Sequence, residues 1–326
     1  MYLEGKRLFI AGGTGLAGSA VLRCVLEAAG DIRVRVSRRD GAGGLVSDAR
    51  VEYVTGDLTR AEDCARLAAG CDCAVLAVAR TGGARQARER PWEQVTDNIV
   101  MDARLLEALH AAGVRRTIYV GTGSAYQDFP GAIKEDQLDW AADPPAAYFG
   151  VGWAKRCSEK LCRFWHDVGR MEILVARLAN VYGPHARFDP GSSHFVAALV
   201  RKAVAADDPF VVWGSPEVAR DILFSDDFGR AVVAMLEATD IHFDVFNIGS
   251  GRVTTVGEVV RLALRFAGHK PARIVYDNAS PTTIAHRVLD CAKARDVLGW
   301  KPEVMPEEGI RLTVEWWKAN RETWRR

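Results

Sequence analysis

Short apolar runs and longer amphipathic stretches alternate through the first 180 residues of the chain. The runs Arg7–Ala11, Arg33–Ser37, Val51–Thr55, Cys73–Val78, Thr117–Val120 and Glu172–Arg177 have strand length. Between them, Ala17–Ala29, Arg60–Ala69, Trp92–Ala112 and Val151–Val168 carry apolar positions three and four apart, the spacing of a helix with one buried face. Repeated strand and helix, joined by right-handed crossovers, predict a doubly wound parallel α/β sheet. After Tyr182-Gly183-Pro184 the pattern loosens. Helical spacing returns over Ser193–Ala206, Val256–Ala267 and Pro306–Ala319, with strand-like runs at Asp244–Ile248 and Ala272–Tyr276. The expected organisation is a sheet-forming domain over 1–180, with return segments near 222–250, and a smaller C-terminal region over 181–326.

Composition narrows the class of protein. The 326 residues are 48% hydrophobic and 26% charged, as in an ordinary globular protein, and can bury a large core. A net charge of +1 gives no electrostatic case for nucleic acid or a membrane surface as partner. No apolar run is long enough to span a bilayer, and Met1 leads through Glu4-Gly5-Lys6-Arg7 directly into the first strand, so no secretory leader is expected. The seven cysteines lack framework spacing. Cys71, Cys73, Cys157 and Cys162 have no second pair or nearby histidines, which argues against a metal site and for reduced thiols in a cytoplasm.

The first strand runs into Gly12-Gly13-Thr14-Gly15-Leu16-Ala17-Gly18 and then into a helix. In that context Gly12 permits a tight turn, Gly15 lets the backbone approach a pyrophosphate, and Gly18 lets the helix pack on the strand, with Thr14 and Leu16 beside them. The helix N-terminus then faces the phosphates. This predicts a Rossmann-type nicotinamide dinucleotide site. The second strand ends in Ser37-Arg38-Arg39 rather than in the carboxylate that binds a ribose 2′-hydroxyl. Guanidinium groups pair bidentately with phosphate, so Arg38 and Arg39 favour NADP(H), with NAD(H) as the second possibility. Ala77, on the fourth strand, is expected along the same cofactor.

These residues, with Gly121-Thr122-Gly123-Ser124-Ala125-Tyr126, Asn180-Val181-Tyr182-Gly183-Pro184-His185, Ser192-Ser193-His194, Val211-Val212-Trp213-Gly214-Ser215 and Asn247-Ile248-Gly249-Ser250-Gly251, resemble the extended short-chain dehydrogenase/reductases of the NAD-dependent epimerase/dehydratase family. The likeness runs nearly end to end, the Ala79–Gly83 loop included. It is greatest to the members that epimerise and then reduce a GDP-linked 4-keto-6-deoxyhexose. The resemblance implies a nucleotide-diphosphate sugar as partner and a homodimer joined through Trp92–Ala112 and Val151–Val168. It implies that Asp57 and Leu58 contact adenine and that Thr122 hydrogen-bonds the sugar C4 oxygen. Lys155 then matches the lysine of the nicotinamide ribose, which also lowers the pKa of a catalytic tyrosine. Ser124 falls where the family keeps an epimerising cysteine, and His194 falls on that cysteine's partner. Lys202, Arg220 and Arg287 match cationic positions near the diphosphate, and Asn180 and Trp213 lie in the substrate-binding segments.

Two departures stand out. Four residues before Lys155, where the family places its tyrosine, the chain has Val151, which has no proton to exchange. Tyr148 is the nearest substitute. If one helix covers both Tyr148 and Lys155, two turns, roughly 10 Å, separate them. If the helix begins only after Gly150, Tyr148 lies on a loop that can fold back. Ser124 is also a weaker proton carrier than cysteine, which leaves His194 as the better base for epimerisation. The expected function is an enzyme acting at the 4-keto hexose of a nucleotide sugar, GDP-linked by preference, as epimerase, as NADPH-dependent reductase, or as both. A 4,6-dehydratase or C4-epimerase is the second enzymatic reading, weakened because Gly123-Ser124 replaces the Asp-Glu pair that dehydratases carry after the threonine. The reading from another class is a catalytically silent NADP(H)-binding sensor or structural subunit.

Overall fold

Seven strands build the main sheet, all parallel: β1 (Lys6–Ala11), β2 (Ile32–Arg38), β3 (Val51–Thr55), β4 (Cys73–Leu76), β5 (Arg116–Thr122), β7 (Glu172–Leu178) and β12 (Phe243–Ile248). Their order is β3-β2-β1-β4-β5-β7-β12. The order reverses between β1 and β4, so a crevice opens there beyond the carboxyl ends of the strands, where ligands of such sheets bind. The computed structural model describes residues 1–39, 43–82, 89–279, 284 and 286–324. Gly83, the last residue of the Ala79–Gly83 loop, lies outside the described residues.

Side chains alternate across the sheet. Leu8 and Ile10 join one core with helices α1 (Leu16–Ala28) and α6 (Ser225–Glu237). Phe9 and Ala11 join the other, beneath α2 (Ala61–Ala68), α3 (Thr96–Ala111) and α4 (Phe149–Asp167). The strands thus carry apolar residues on both faces, as a covered parallel sheet requires. A third core lies in the C-terminal region among α5 (Phe195–Ala205), α7 (Val256–Ala267) and α9 (Pro306–Asn320), where Phe188 stacks on Trp317 with ring centroids 4.2 Å apart. The short helix α8 (Ala292–Leu298) follows a small sheet of β6 (Ala132–Ile133), β10 (Ala219–Arg220), β13 (Thr254–Thr255) and β15 (His286–Leu289). Two further pairs, β8 (Asn180–Tyr182) with β11 (Ile222–Phe224) and β9 (Phe210–Trp213) with β14 (Ile274–Asp277), complete the strands.

The expected elements are present, with ends shifted by a few residues. Helix α3 starts later than the Trp92 expected from periodicity, because Pro91–Gln94 form a separate 3-10 turn. Helix α6 was not anticipated as a helix, although Asp226 and Asp227 supply the acidic first turn that favours one. Arg116 on β5 is almost fully buried and donates to the carbonyls of Met235, Leu236 and Ala238 at 2.7, 2.8 and 2.6 Å, which satisfies the C-terminal end of α6. Among the described residues, no helix is long and apolar enough to cross a membrane.

Candidate active site

The glycine loop has the shape a dinucleotide needs. Gly12 has φ +86°, and a Cβ there would lie 2.7 Å from the carbonyl oxygen of Ala77 and 2.8 Å from the Val78 nitrogen. A Cβ on Gly18 would collide with the Gly12 carbonyl, so the start of α1 packs directly on the loop. Gly15 is the N-cap of α1, and no side chain caps the helix, so the first-turn N–H groups, beginning with Leu16, point toward the crevice beside Thr14. Ser37 is buried at the end of β2, and its hydroxyl accepts the Gly12 N–H at 3.2 Å. Ser37 thereby fixes the loop, and it leaves the strand's end to cations. Arg38 rests on Thr55, its Nε donating to the hydroxyl at 3.3 Å, and Arg39 is exposed. Asp57 accepts from the N–H and hydroxyl of Thr59, which holds its carboxyl below the usual range, and Leu58 is buried behind it. The cradle that only glycine can line and the cationic end of β2 fit a nicotinamide dinucleotide.

Lys155 is enclosed rather than open to that crevice. The side chain is 6% exposed, its ammonium donating to the Tyr119 phenol at 2.8 Å and to Asp102 Oδ2 at 3.3 Å. Tyr119 and Ser158 each donate to the same carboxylate oxygen at 2.7 Å. Burial, then the nearby Asp102, push the Tyr119 phenol well above its ordinary pKa, so it stays a neutral donor. The lysine charge is therefore balanced inside the protein by Asp102. Sequence reasoning missed all three partners. The signal available was an acidic residue at 102 on the apolar stripe that α3 makes from Met101, Leu105, Leu106 and Leu109.

Thr122, Ser124, Tyr148, Asn180, Arg220 and Arg287 line one cleft at the carboxyl ends of β5 and β7. Thr122 ends β5 and caps the one-turn Gly123–Ala125 helix, its hydroxyl oxygen accepting the Ser124 N–H at 3.1 Å. Its own O–H remains to be given to a ligand oxygen. Helix α4 starts at Phe149, before Gly150, and Tyr148 is its N-cap and the last residue of a 3-10 turn (Ala146–Tyr148) that runs directly into it, so neither a helix over both Tyr148 and Lys155 nor a loop up to Gly150 is what forms. Arg287 donates to the carbonyls of Gly123, Tyr126 and Gln127, which fixes its charge against the turn carrying Thr122. Arg220 donates to the Ala219 carbonyl at 2.8 Å, and Asn180 to that of Asp221 at 3.2 Å.

The other expected substrate residues are not in this cleft's lining. Lys202 donates to the Val211 carbonyl at 2.7 Å, and Trp213 is 43% exposed on β9. His194 is the N-cap of α5, but its side chain makes no capping hydrogen bond. It is exposed to solvent, and Arg187 is the charged group that acts on it. Its surroundings and then the Arg187 charge push its imidazole below the ordinary range, which keeps it neutral and basic near neutral pH.

Fold, glycine cradle and threonine-bearing cleft together define a dinucleotide-dependent enzyme of the extended short-chain dehydrogenase type. The chain belongs to the NAD dependent epimerase/dehydratase family, which it matches over residues 8–249. It is 29% identical over 332 residues to GDP-L-fucose synthase of Sinorhizobium fredii, covering 98% of each chain. A putative GDP-L-fucose synthase 2 of rice (Oryza sativa subsp. japonica) is 31% identical over 318 residues, covering 94% of this chain and 86% of the rice protein. Among solved structures, UDP-glucose 4-epimerase of Thermotoga maritima with UDP-glucose superposes with a TM-score of 0.84 at 27% identity, covering 96% and 99% of the two chains.

Proposed function

We propose that the protein modifies a nucleotide-diphosphate sugar at a 4-keto hexose, GDP-linked by preference, by epimerisation, by NADPH-dependent reduction, or by both. The observation that carries this reading is the meeting of Thr122, Arg220 and Arg287 in one cleft at the carboxyl ends of β5 and β7. Thr122 supplies a hydroxyl for a sugar oxygen, and buried guanidinium charge suits the diphosphate of the same ligand. GDP is favoured over UDP because relatives named GDP-L-fucose synthase match nearly the full chain. NADP(H) is favoured over NAD(H) because Arg38 ends β2 and Arg39 follows it. A bound nicotinamide ring would supply or accept hydride. The chain's part is to orient the sugar through Thr122, to bind its diphosphate, and to move protons, with His194 as the base for exchange beside the ketone. All seven cysteines are free thiols, as suits work in a cytoplasm.

Val151 and the enclosed Lys155 favour one competing reading, a cofactor-binding subunit without turnover. Thermal-shift measurements with NADPH, then with GDP- and UDP-sugars, separate the two. The enzyme is stabilised by both ligand classes and yields new sugar products by mass spectrometry. A silent subunit responds to the dinucleotide alone.

A further inference from the structure

We propose that Tyr148, rather than a residue of the Val151–Lys155 pair, is the proton donor to the sugar oxygen held by Thr122. This assignment rests on the nucleotide-sugar reading above and names the group that performs its proton transfer.

Three observations converge on it. Val151 carries no exchangeable proton, and the Lys155 ammonium is spent on Tyr119 and Asp102, so the family's paired positions are dismantled at both ends. Tyr148 lies outside α4 and lines the same cleft as Thr122. Arg220 and Arg287 line that cleft together with Tyr148, so the phenol shares it with two cationic side chains. The electrostatic partner that a lysine gives a catalytic tyrosine is here supplied by guanidinium groups, which keep their charge at any working pH.

The position of Tyr148 is also held firmly. Arg156, buried in α4, donates to the Ala125 carbonyl at 2.7 Å and to the Ala142 carbonyl at 2.5 Å, joining the Thr122 turn to the loop that leads into Tyr148. Trp153 Nε1 donates to Asp143 at 2.9 Å on the same loop, and the Tyr148 N–H donates to the Pro145 carbonyl at 2.7 Å. Gly152 allows the close approach, since a Cβ there would lie 2.8 Å from the Ser124 carbonyl oxygen and 2.6 Å from Pro144. A ring on a 3-10 turn pinned in this way can serve in catalysis, because its distance to the substrate is set before binding.

The balance of the step is simple. A reduced dinucleotide held by the glycine loop would supply hydride to the sugar C4 carbonyl carbon, and the Tyr148 O–H bond would break to give its proton to the carbonyl oxygen, forming the C4 hydroxyl. Tyr148 is left as an oxyanion beside the two guanidinium groups and is reprotonated by water.

Tyr148→Phe and Val151→Tyr test the assignment in the full chain, with NADPH and a GDP-linked 4-keto-6-deoxyhexose. Calorimetry gives the affinity for each ligand, and NADPH absorbance gives kcat. Tyr148→Phe is expected to lose about 10²–10⁴-fold in kcat while both affinities stay within about twofold. Val151→Tyr is expected to gain nothing, since Lys155 remains tied to Asp102. Equal kcat in Tyr148→Phe and parent, or a large gain in Val151→Tyr, overturns the assignment and leaves the nucleotide-sugar reading standing. Tight binding of both ligands by a parent that never turns over does the same. A parent that binds NADPH and no nucleotide sugar overturns both.

Discussion

The ammonium of Lys155 meets the phenol of Tyr119 at 2.8 Å, and both lean on one buried oxygen of Asp102. The lysine comes from α4, the tyrosine from β5 and the aspartate from α3, so a single charge pair ties two neighbouring helices to the sheet they cover. Removing one member of a buried pair costs more than the pair contributes, because the other charge is left without its partner.

Lys155→Met is therefore expected to destabilise the fold by about 3–5 kcal/mol, measured by urea unfolding, and to change NADPH affinity little. Tyr119→Phe, which removes a neutral donor, should cost only about 1–3 kcal/mol. A Lys155→Met variant that unfolds at the parental urea concentration but has lost NADPH binding would return the lysine to the cofactor.

Cofactor choice should follow Arg38 and Arg39. Replacing both by alanine is expected to weaken NADPH binding by tenfold or more, on the order of 1.4 kcal/mol, and NADH binding hardly at all. Equal losses for the two dinucleotides, read by fluorescence titration, would place the arginines away from the 2′-phosphate.

The pH dependence of hydrogen exchange beside the ketone should report His194. Its surroundings and then Arg187 push the imidazole downward, so the neutral base persists to lower pH than for an ordinary histidine. Solvent deuterium incorporation is accordingly expected to fall away only below about pH 6.5. In Arg187→Gln the nearby positive charge is gone, the protonated form gains, and the acid limb moves up. A limb that stays put, or exchange that survives His194→Ala, would remove His194 from the step.

Association should run through α3 and α4. Phe149 and Phe164 are 52% and 50% exposed on α4, and Trp92 is 65% exposed just before α3. Trp165, by contrast, packs against His110 within the chain, and Trp153 is held by Asp143. Sedimentation at micromolar concentration is expected to give a dimer, and Phe164→Glu to shift it to monomer without loss of secondary structure.

Much of this was legible in the chain. The glycine loop and the alternation of strand and helix follow from local patterns, because turn chemistry and residue spacing act over short stretches, whereas Thr122 was marked by the family resemblance. The Val151 substitution was equally plain. What lay out of reach depends on contacts between distant segments. Asp102 and Lys155 are neighbours only because α3 and α4 pack side by side. Whether Tyr148 sat inside or outside α4 turned on where that helix begins, and helix ends are fixed by packing as much as by sequence. Helix α6 stayed hidden because its stretch reads locally as the loose C-terminal third, while its partners are α1 and Arg116 in the first third.

That last arrangement bears on how the polypeptide could be divided. Strand β12 lies against β7, and the guanidinium of Arg116 closes the far end of α6. A fragment ending near residue 180 would expose the whole hydrogen-bonding rim of β7 to any other strand it met. It would also leave Arg116 facing an apolar sheet with its carbonyl acceptors gone. The glycine loop and the Thr122 cleft are consequently inseparable as molecular parts, and a transplant of the glycine-loop half alone into another enzyme would carry an adhesive edge with it.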